Sequence, residues 1–527
     1  MVESPKKTKR PVRFFNTTGP CNPLEHYMLP PADRLVGAQL HRYVRDSLYW
    51  VLHAPRQTGK TTFLQSWARE INADAEAVAC YFSVEACQGI TDSASAMITI
   101  NKSICASSKN QGIPIPELPF DRTEFLLYRT MQKWAELVSP KPLVVLIDEA
   151  DVLEGEALIS FLRQLRNGFA ERGVGKFPVS IALVGMRDLK DYITAAKGGV
   201  APNPGSPFNV KADSATISNF TKRNIENLFA QRTAETGQTI TDDAIDYAYE
   251  QSKGQPWIVN SLFMRATMRV LDEANAKTVT LAHVKEAREQ MVLARETHLD
   301  ALAYRMENPD VRKVMESLMT GVSDPLLAES EGFRLCLDLG LVAKERGAPS
   351  VANPMYREVL ARHLTYGPQL AMPEPEWQWE KPDGSLDMDA LMREFQVFWR
   401  ENSEAWEERM RYPEAFPHLL LMAFLQRVLN GGGRIEREYA AGRGRMDLLV
   451  EYNGGRHVIE IKLVHNKQSP DAVKSKGLEQ TARYRDAKAP DNPAYLVVFD
   501  RRPEAKEKPW GEKLTWETAN GVTIVGC

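Results

Sequence analysis

The sequence predicts a multidomain α/β chain. It comprises a parallel-sheet domain, a helical lid, a helix–hairpin module and a second α/β domain at the C-terminus. Three observations predict this. A glycine-containing loop, His53-Ala-Pro-Arg-Gln-Thr-Gly-Lys-Thr-Thr62, stands between an apolar run and a helical pattern. Short apolar runs alternate with helical patterns from about residue 32 to 210, the signature of strands buried on both faces. The last hundred residues switch to three consecutive strand patterns joined by Gly-rich turns.

The loop is the most specific element. Ala54, Gly59, Lys60 and Thr61 satisfy the pattern Ala/Gly-x4-Gly-Lys-Ser/Thr, after the strand-like Leu48–Leu52 and before the helical Phe63–Glu70. In that context the backbone amides of Ala54, Pro55, Arg56, Gln57, Thr58, Gly59, Lys60, Thr61 and Thr62, proline excepted, face a helix N-terminus and can cradle a polyphosphate. Lys60 adds a full charge for the β- and γ-phosphates, and Thr61 a hydroxyl for Mg²⁺. ATP and Mg²⁺ are the expected cofactors.

Before the loop, residues 1–31 are rich in Pro, Asn, Thr and Gly and read as an extended leader, packed on the next domain or disordered. The α/β domain then covers 32–210, with strands at Leu48–Leu52, Ala77–Ser83, Leu143–Ile147 and Val179–Val184. The third strand ends in Asp148-Glu149-Ala-Asp151, about 90 residues after the loop. Acids at the carboxyl end of a buried strand sit where open α/β sheets bind ligands. Asp148 is expected to hold Mg²⁺ and Glu149 to orient or deprotonate the attacking water. Arg163 and Arg166 share a face of the Leu158–Asn167 helix. They are either solvated or offered to a neighbouring subunit's nucleotide in a homo-oligomer. The fourth strand ends at Gly185-Met-Arg187, where many such ATPases place an Asn, Ser or Thr sensor.

A loop spans 196–209, and the helical lid is expected over 211–295, with helices starting at Thr221 and Asp242 and a break at Gly254-Gln-Pro-Trp257. Residues 296–365 read as helices followed by a short two-stranded turn, compatible with a winged-helix-like domain that binds DNA or braces the ATPase. A Pro/Trp/Glu-rich linker and a helix fill 366–405.

The C-terminal domain, 406–527, carries a second set of chemical groups. Glu460 and Lys462 are two apart on a strand and so share a face. Asp447, one strand earlier, can reach that face. Two carboxylates and an ammonium at strand ends suit a hard divalent cation beside a water, although Glu-x-Lys also occurs on solvated sheet faces. The loop Gly442-Arg-Gly-Arg445 suits phosphate, and Gln480 and Tyr484 share a helical face. Glu414 and His418 share another, with Pro413 and Pro417 confining that stretch to a helix's first turns.

Composition narrows the rest. The 527 residues include 66 Lys+Arg and 69 Asp+Glu, a net charge of −3, so a nucleic-acid site must be a local patch. Residues 431–527 hold 17 basic against 14 acidic residues, net +3. The six scattered cysteines form no metal or disulfide framework and suit a reducing compartment. With no signal-peptide core and no apolar run of membrane-spanning length, a cytoplasmic protein without a membrane partner is expected.

Residues 32–360 resemble P-loop ATPases of the AAA/STAND-like type, and 410–527 resemble the RecB-like branch of the PD-(D/E)XK nuclease superfamily. On that resemblance Glu414 is the helix Glu, Asp447 the metal-binding Asp, Glu460 and Lys462 the E-x-K pair, and Gln480 and Tyr484 the Q-x-x-x-Y. Glu414, Asp447 and Glu460 would be metal ligands, and Met446 stands where the superfamily usually has Pro. The combination is similar to bacterial ATP-binding proteins in which an AAA-like ATPase precedes such a nuclease. It implies ATP-coupled phosphodiester hydrolysis, on DNA more than RNA, in defence or mobile-element control. A nucleotide-switched sensor or DNA-binding scaffold whose nuclease-like domain does not cleave is the alternative.

Overall fold

The computed structural model describes residues 12–115, 125–186, 211–268, 277–294, 299, 302, 304–320, 327–345, 348–371, 379–409, 416–429, 433–441, 444–465 and 468–527. The chain divides into two compact units, Met1–Ala294 with Leu335–Val342, and Arg295–Arg334 with Ala343–Cys527.

The first unit is built on six strands: β1 (Leu35–Val36), β2 (Tyr49–His53), β3 (Val78–Ser83), β4 (Leu143–Asp148), β5 (Ser180–Gly185) and β6 (Lys211–Ile217). Their order is β1-β6-β2-β5-β4-β3, parallel throughout except for the β1–β6 edge pair. Every residue of β4 and β5 is buried, as expected of a sheet covered on both faces. One face packs Trp50, Phe63 and Trp67, with Tyr43 stacked on Trp50 at 4.6 Å. The other packs Trp134, Phe161 and Phe177. β6 corrects the expected start of the lid at 211. Lys211-Ala-Asp-Ser-Ala-Thr-Ile217 lacks a continuous apolar run, yet it pairs in parallel with β2.

Helices 222–236, 242–252, 256–268 and 281–293 follow, linked by a short parallel pair of β7 (Thr239–Ile240) and β8 (Thr278–Val279). Thr221 caps the first helix in a reciprocal box with Asn224, an arrangement that contributes about 1 kcal/mol. Pro256 opens the third, where its missing N–H is not needed. The leader packs on these helices. Phe15 is fully buried 5.8 Å from Phe229 and 5.3 Å from Phe263, and Met28 exchanges backbone hydrogen bonds with the Gln231 amide.

Gly254 fixes the lid's register. Its φ is +74°, its carbonyl accepts from Phe220 N at 2.7 Å, and an added Cβ would lie 1.8 Å from the Phe220 carbonyl oxygen. We expect Gly254→Ala to cost the first unit at least about 2 kcal/mol, read as a lower melting temperature in calorimetry.

In the second unit, helix 309–320 is followed by helix 331–338, whose end, with Gly340, falls in the first unit. There Gly340 lies against Pro55 of the loop. The division therefore cuts through the stretch expected as one module over 296–365. Strands β9 (Val342–Glu345) and β10 (Ala348–Val351) form a two-stranded sheet, and helix 354–371 follows. Helices 388–409 and 416–429 precede a mixed six-stranded sheet of β11 (Gly433–Ala441), β12 (Gly444–Tyr452), β13 (Gly455–Val464), β14 (Ala494–Asp500), β15 (Trp516–Ala519) and β16 (Val522–Gly526), in order β11-β12-β13-β14-β16-β15. Helix 388–409, expected alongside the linker, packs on this sheet: Phe395 and Trp399 meet Phe499, and Gln396 donates to the Gly526 carbonyl at 2.7 Å. The linker's 372–378 and residue Glu414 lie outside the described residues. No described helix is long and apolar enough to cross a membrane.

Glu316, on helix 309–320, is half-buried, and burial pushes its carboxyl up to about 8 against a smaller opposing pull from Arg312. From pH 5 to 8 the folded state then holds a proton that the unfolded chain has released, so stability falls as pH rises. Glu316→Gln should flatten that decline in a series of melts over this range.

Candidate functional site

Around the loop, β2 delivers Ala54 and helix 60–74 begins at Lys60. Gln57 and Gly59 adopt left-handed backbone, φ +58° and +99°, which turns the loop back on itself. Lys60 is 7% exposed and donates to the carbonyls of Ala54 (2.7 Å) and Pro55 (3.0 Å). Burial pulls its ammonium below the ordinary lysine range, and the nearby charges of Glu149, Asp148 and Asp151 partly restore it. Thr61 Oγ1 donates to Asp148 Oδ2 at 2.6 Å, and Tyr81 OH donates to the same oxygen at 3.3 Å. Asp148 is buried, and that burial raises its pKa more than these hydrogen bonds lower it. Glu149 sits at φ +56°, a backbone conformation that costs about 1–3 kcal/mol and concentrates at functional positions. Its carboxyl is raised by burial first and then by Asp151 and Asp148.

A cavity of about 370 Å³ opens over the loop, large enough for a nucleotide. Arg56 to Thr62 and Glu149 line it, with Asn16, Thr17 and Gly19 to Cys21 of the leader and Pro256, Trp257 and Asn260 of the lid. The leader's part escaped the sequence because the backbone makes it. Cys21 N donates to Thr62 Oγ1 at 3.0 Å, and Trp257 Nε1 donates to the Thr17 carbonyl at 2.9 Å. At the sensor position Gly185 leaves room for Asp151. A Cβ there would stand 2.9 Å from Asp151 Oδ1, and Asp151 Oδ2 accepts from Met186 N at 3.2 Å. Arg187 lies outside the described residues. Arg163 and Arg166 are exposed on helix 155–171.

In the C-terminal sheet the turn between β12 and β13 sets the second site. Asn453 and Gly454, φ +43° and +84°, form a two-residue hairpin loop and pair Tyr452 with Gly455. Counting back, that register brings Asp447 opposite Glu460. The ladder's last pair is Leu448–Ile459. Beyond it Ile461 N donates to Asp447 Oδ2 (2.7 Å), and Asp447 N points at Glu460 Oε2 (3.4 Å). Lys462 Nζ lies 2.6 Å from Glu460 Oε1; the carboxylate is 1% exposed and the lysine side chain 24%. Burial raises both carboxyls. Glu460 reaches about 7, with the Asp447 charge adding to the rise and Lys462 opposing it. Helix 470–488 covers this face, with Tyr484 in one buried apolar cluster with Val458 and Leu496. Gln480 Nε2 donates to Tyr484 OH at 2.9 Å.

Residues 45–193 match the family model for an AAA domain, and 412–498 match that of the PD-(D/E)XK nuclease superfamily. The chain joins an AAA domain to a PD-(D/E)XK nuclease-superfamily domain.

Similar solved structures include a Walker-type ATPase of Pyrococcus abyssi (12% identity, TM-score 0.45, 61% of this chain and 93% of that one). A Thermotoga maritima RuvB Holliday junction branch migration motor matches at 16% identity and TM-score 0.33, over 59% of this chain and 88% of that one. Cdc6p of Pyrobaculum aerophilum matches at 14% and 0.33, over 62% and 91%. No curated protein sequence matches the chain.

AAA domains and PD-(D/E)XK domains generally use ATP and Mg²⁺. The donors in the AAA domain fit that ion: a hydroxyl and a carboxylate oxygen meet at one point beside the loop. In the nuclease-superfamily domain the buried Glu460 carboxyl and the partly buried Asp447 carboxyl crowd each other, an arrangement a divalent cation relieves. Among the described residues no group of three or more His, Cys, Asp or Glu side chains gathers there. The sequence did not reveal that Arg357 and His418 line a small cavity, about 30 Å³, together with Asp447. His418 Nδ1 is buried there without a hydrogen-bond partner, and burial together with the Lys462 charge holds the ring down to about 4.

Proposed function

We propose that the chain is an ATP-binding and ATP-hydrolysing protein whose C-terminal domain is a metal-dependent nuclease, regulated by ATP and acting on DNA. The observation that carries the reading is the convergence of Asp447, Glu460 and Lys462 on one sheet face, in a chain that also holds a full phosphate loop.

In the first site Lys60 exchanges its loop carbonyls for the β- and γ-phosphates, where its charge meets the charge of the transition state. Thr61 and Asp148 hold Mg²⁺, and Glu149 orients the attacking water. The leader and the lid exclude solvent around the nucleotide. In a homo-oligomer one of the exposed Arg163 and Arg166 would act on a neighbouring copy's nucleotide.

In the second site Asp447 and Glu460, with Glu414, hold Mg²⁺, which when bound lowers the pKa of a water and offsets charge on the scissile phosphate. Glu460 has to release its proton for this. Lys462 positions the attacking water or balances the transition-state charge, and Gln480 stands on the covering helix. The module at 296–365 is taken as winged-helix-like, a surface that binds DNA or braces the ATPase. The domain limits 1–31, 32–210, 211–295, 296–365, 366–405 and 406–527 stay part of this reading, with β6 added to the ATPase sheet and helix 388–409 to the nuclease domain.

One observation favours the alternative, a nucleotide-switched scaffold that does not cleave. Among the described residues the cavity beside Asp447 is about 30 Å³, the size of about one water. Cleavage of linear, nicked, single-stranded and circular DNA, with and without ATP, separates the two. Metal-dependent cutting supports the nuclease. Salt-sensitive DNA binding without cutting under any Mg²⁺ or Mn²⁺ condition supports the scaffold.

A further inference from the structure

Where the leader enters the first sheet, Arg34 is 7% exposed and bonded to two separate segments. Its guanidinium donates to the carbonyls of Thr58 (2.8 Å) and Ser218 (3.0 Å) and lies 4.8 Å over the Phe220 ring. Its own carbonyl accepts from Ser218 N at 2.9 Å and Ser218 Oγ at 3.0 Å.

A phosphate loop turns its amides toward the ligand, so some of its carbonyls turn into the protein. A buried carbonyl left unmet costs about 1–3 kcal/mol. The left-handed residues Gln57 and Gly59 make that reversal on either side of Thr58. Arg34 is the donor that meets the Thr58 carbonyl. It also explains Gly59 beyond its φ: a Cβ there would lie 2.7 Å from Arg34 Nη2.

The other end of the guanidinium holds the approach to the lid. Ser218 and Phe220 precede helix 222–236, and Phe220 N is bonded to the Gly254 carbonyl. Two residues on, Pro256 and Trp257 line the nucleotide cavity, as do Arg34 and Phe220. One planar cation therefore spans from the phosphate loop to the lid across a shared cavity.

We propose that Arg34 is a positioning residue for nucleotide binding. It fixes the loop with its amides inward and ties that form to the lid, so that filling the loop and ordering the lid are one event. This rests on the ATP reading above. Lysine keeps the charge at this position but lacks the rigid fork that reaches two carbonyls at once.

The test compares wild type, Arg34→Lys and Arg34→Ala by ATP calorimetry, by steady-state hydrolysis and by amide exchange over 254–262. In wild type, ATP protects both the loop and 254–262. Arg34→Lys should weaken ATP binding about tenfold or more, raise KM more than it lowers kcat, and lose the lid protection even at saturating ATP. Millimolar guanidinium should restore part of the affinity to Arg34→Ala. Variants that bind within twofold of wild type and keep lid protection overturn the proposal. So does weakened binding that guanidinium does not improve, with faster exchange throughout the first unit, because that is a general structural defect. Wild-type protein that binds no ATP overturns the ATP reading and this proposal with it; normal wild-type binding with indifferent variants overturns the proposal alone.

Discussion

Lys60→Ala should lower ATP turnover by at least about 100-fold and weaken ATP binding to a similar degree. The lysine brings a full positive charge to the cavity from a buried position, where little water screens it, whereas the loop's other cation, Arg56, is not among the buried residues. Its removal also takes the ammonium donor from the Ala54 carbonyl, at a cost of about 1–3 kcal/mol in the nucleotide-free protein, while the Pro55 carbonyl keeps the Thr58 hydroxyl at 2.9 Å. Binding of a labelled ATP and release of phosphate, beside a melting curve, separate the two consequences. A loss of turnover much larger than the loss of stability assigns the charge to the phosphates.

Asp447→Ala and Lys462→Ala should each lower the proposed metal-dependent DNA cleavage by about 100-fold or more and leave ATP turnover within about twofold of wild type. Lys462→Ala leaves the Glu460 carboxylate buried without its counter-charge, so that group takes up a proton and loses value as a metal ligand. Asp447→Ala also frees the Ile461 N–H that holds the end of the ladder open. Asp447→Asn keeps that bond and removes only the charge, so it is the variant to use if Asp447→Ala melts early. The readout is cleavage of labelled DNA in Mg²⁺ and Mn²⁺, with ATP turnover of the same preparations.

Local patterns were legible and long-range ones were not. The loop could be read because its work is done by adjacent residues whose types are dictated, a lysine, a hydroxyl and a glycine at φ +99°. The Glu460–Lys462 pair could be read because a strand's period of two puts both on one face. Asp447 joined them through the two-residue turn at Asn453-Gly454, which fixes register. Strand β6 was hidden because its residues alternate polar with small or apolar side chains, while its place in the sheet comes from pairing with β2, about 160 residues earlier in the chain. The leader's place at the nucleotide cavity depends on the Thr17 carbonyl and the Cys21 amide, which every residue type carries. Asp151 filling the space of Gly185, Arg34 meeting the Thr58 carbonyl, and Arg357 beside Asp447 all join segments far apart in the chain. A single sequence contains no signal for such pairs.

In the proposed function, ATP at the loop controls chemistry at Asp447, Glu460 and Lys462. The most direct measurement is cleavage of linear and circular DNA in Mg²⁺, with and without ATP, by wild type, Lys60→Ala and Lys462→Ala. ATP should change the rate of cutting by wild type, Lys60→Ala should no longer respond to ATP, and Lys462→Ala should not cut while still hydrolysing ATP. Cutting by Lys462→Ala at the wild-type rate, or cutting by wild type that is indifferent to ATP, would contradict it.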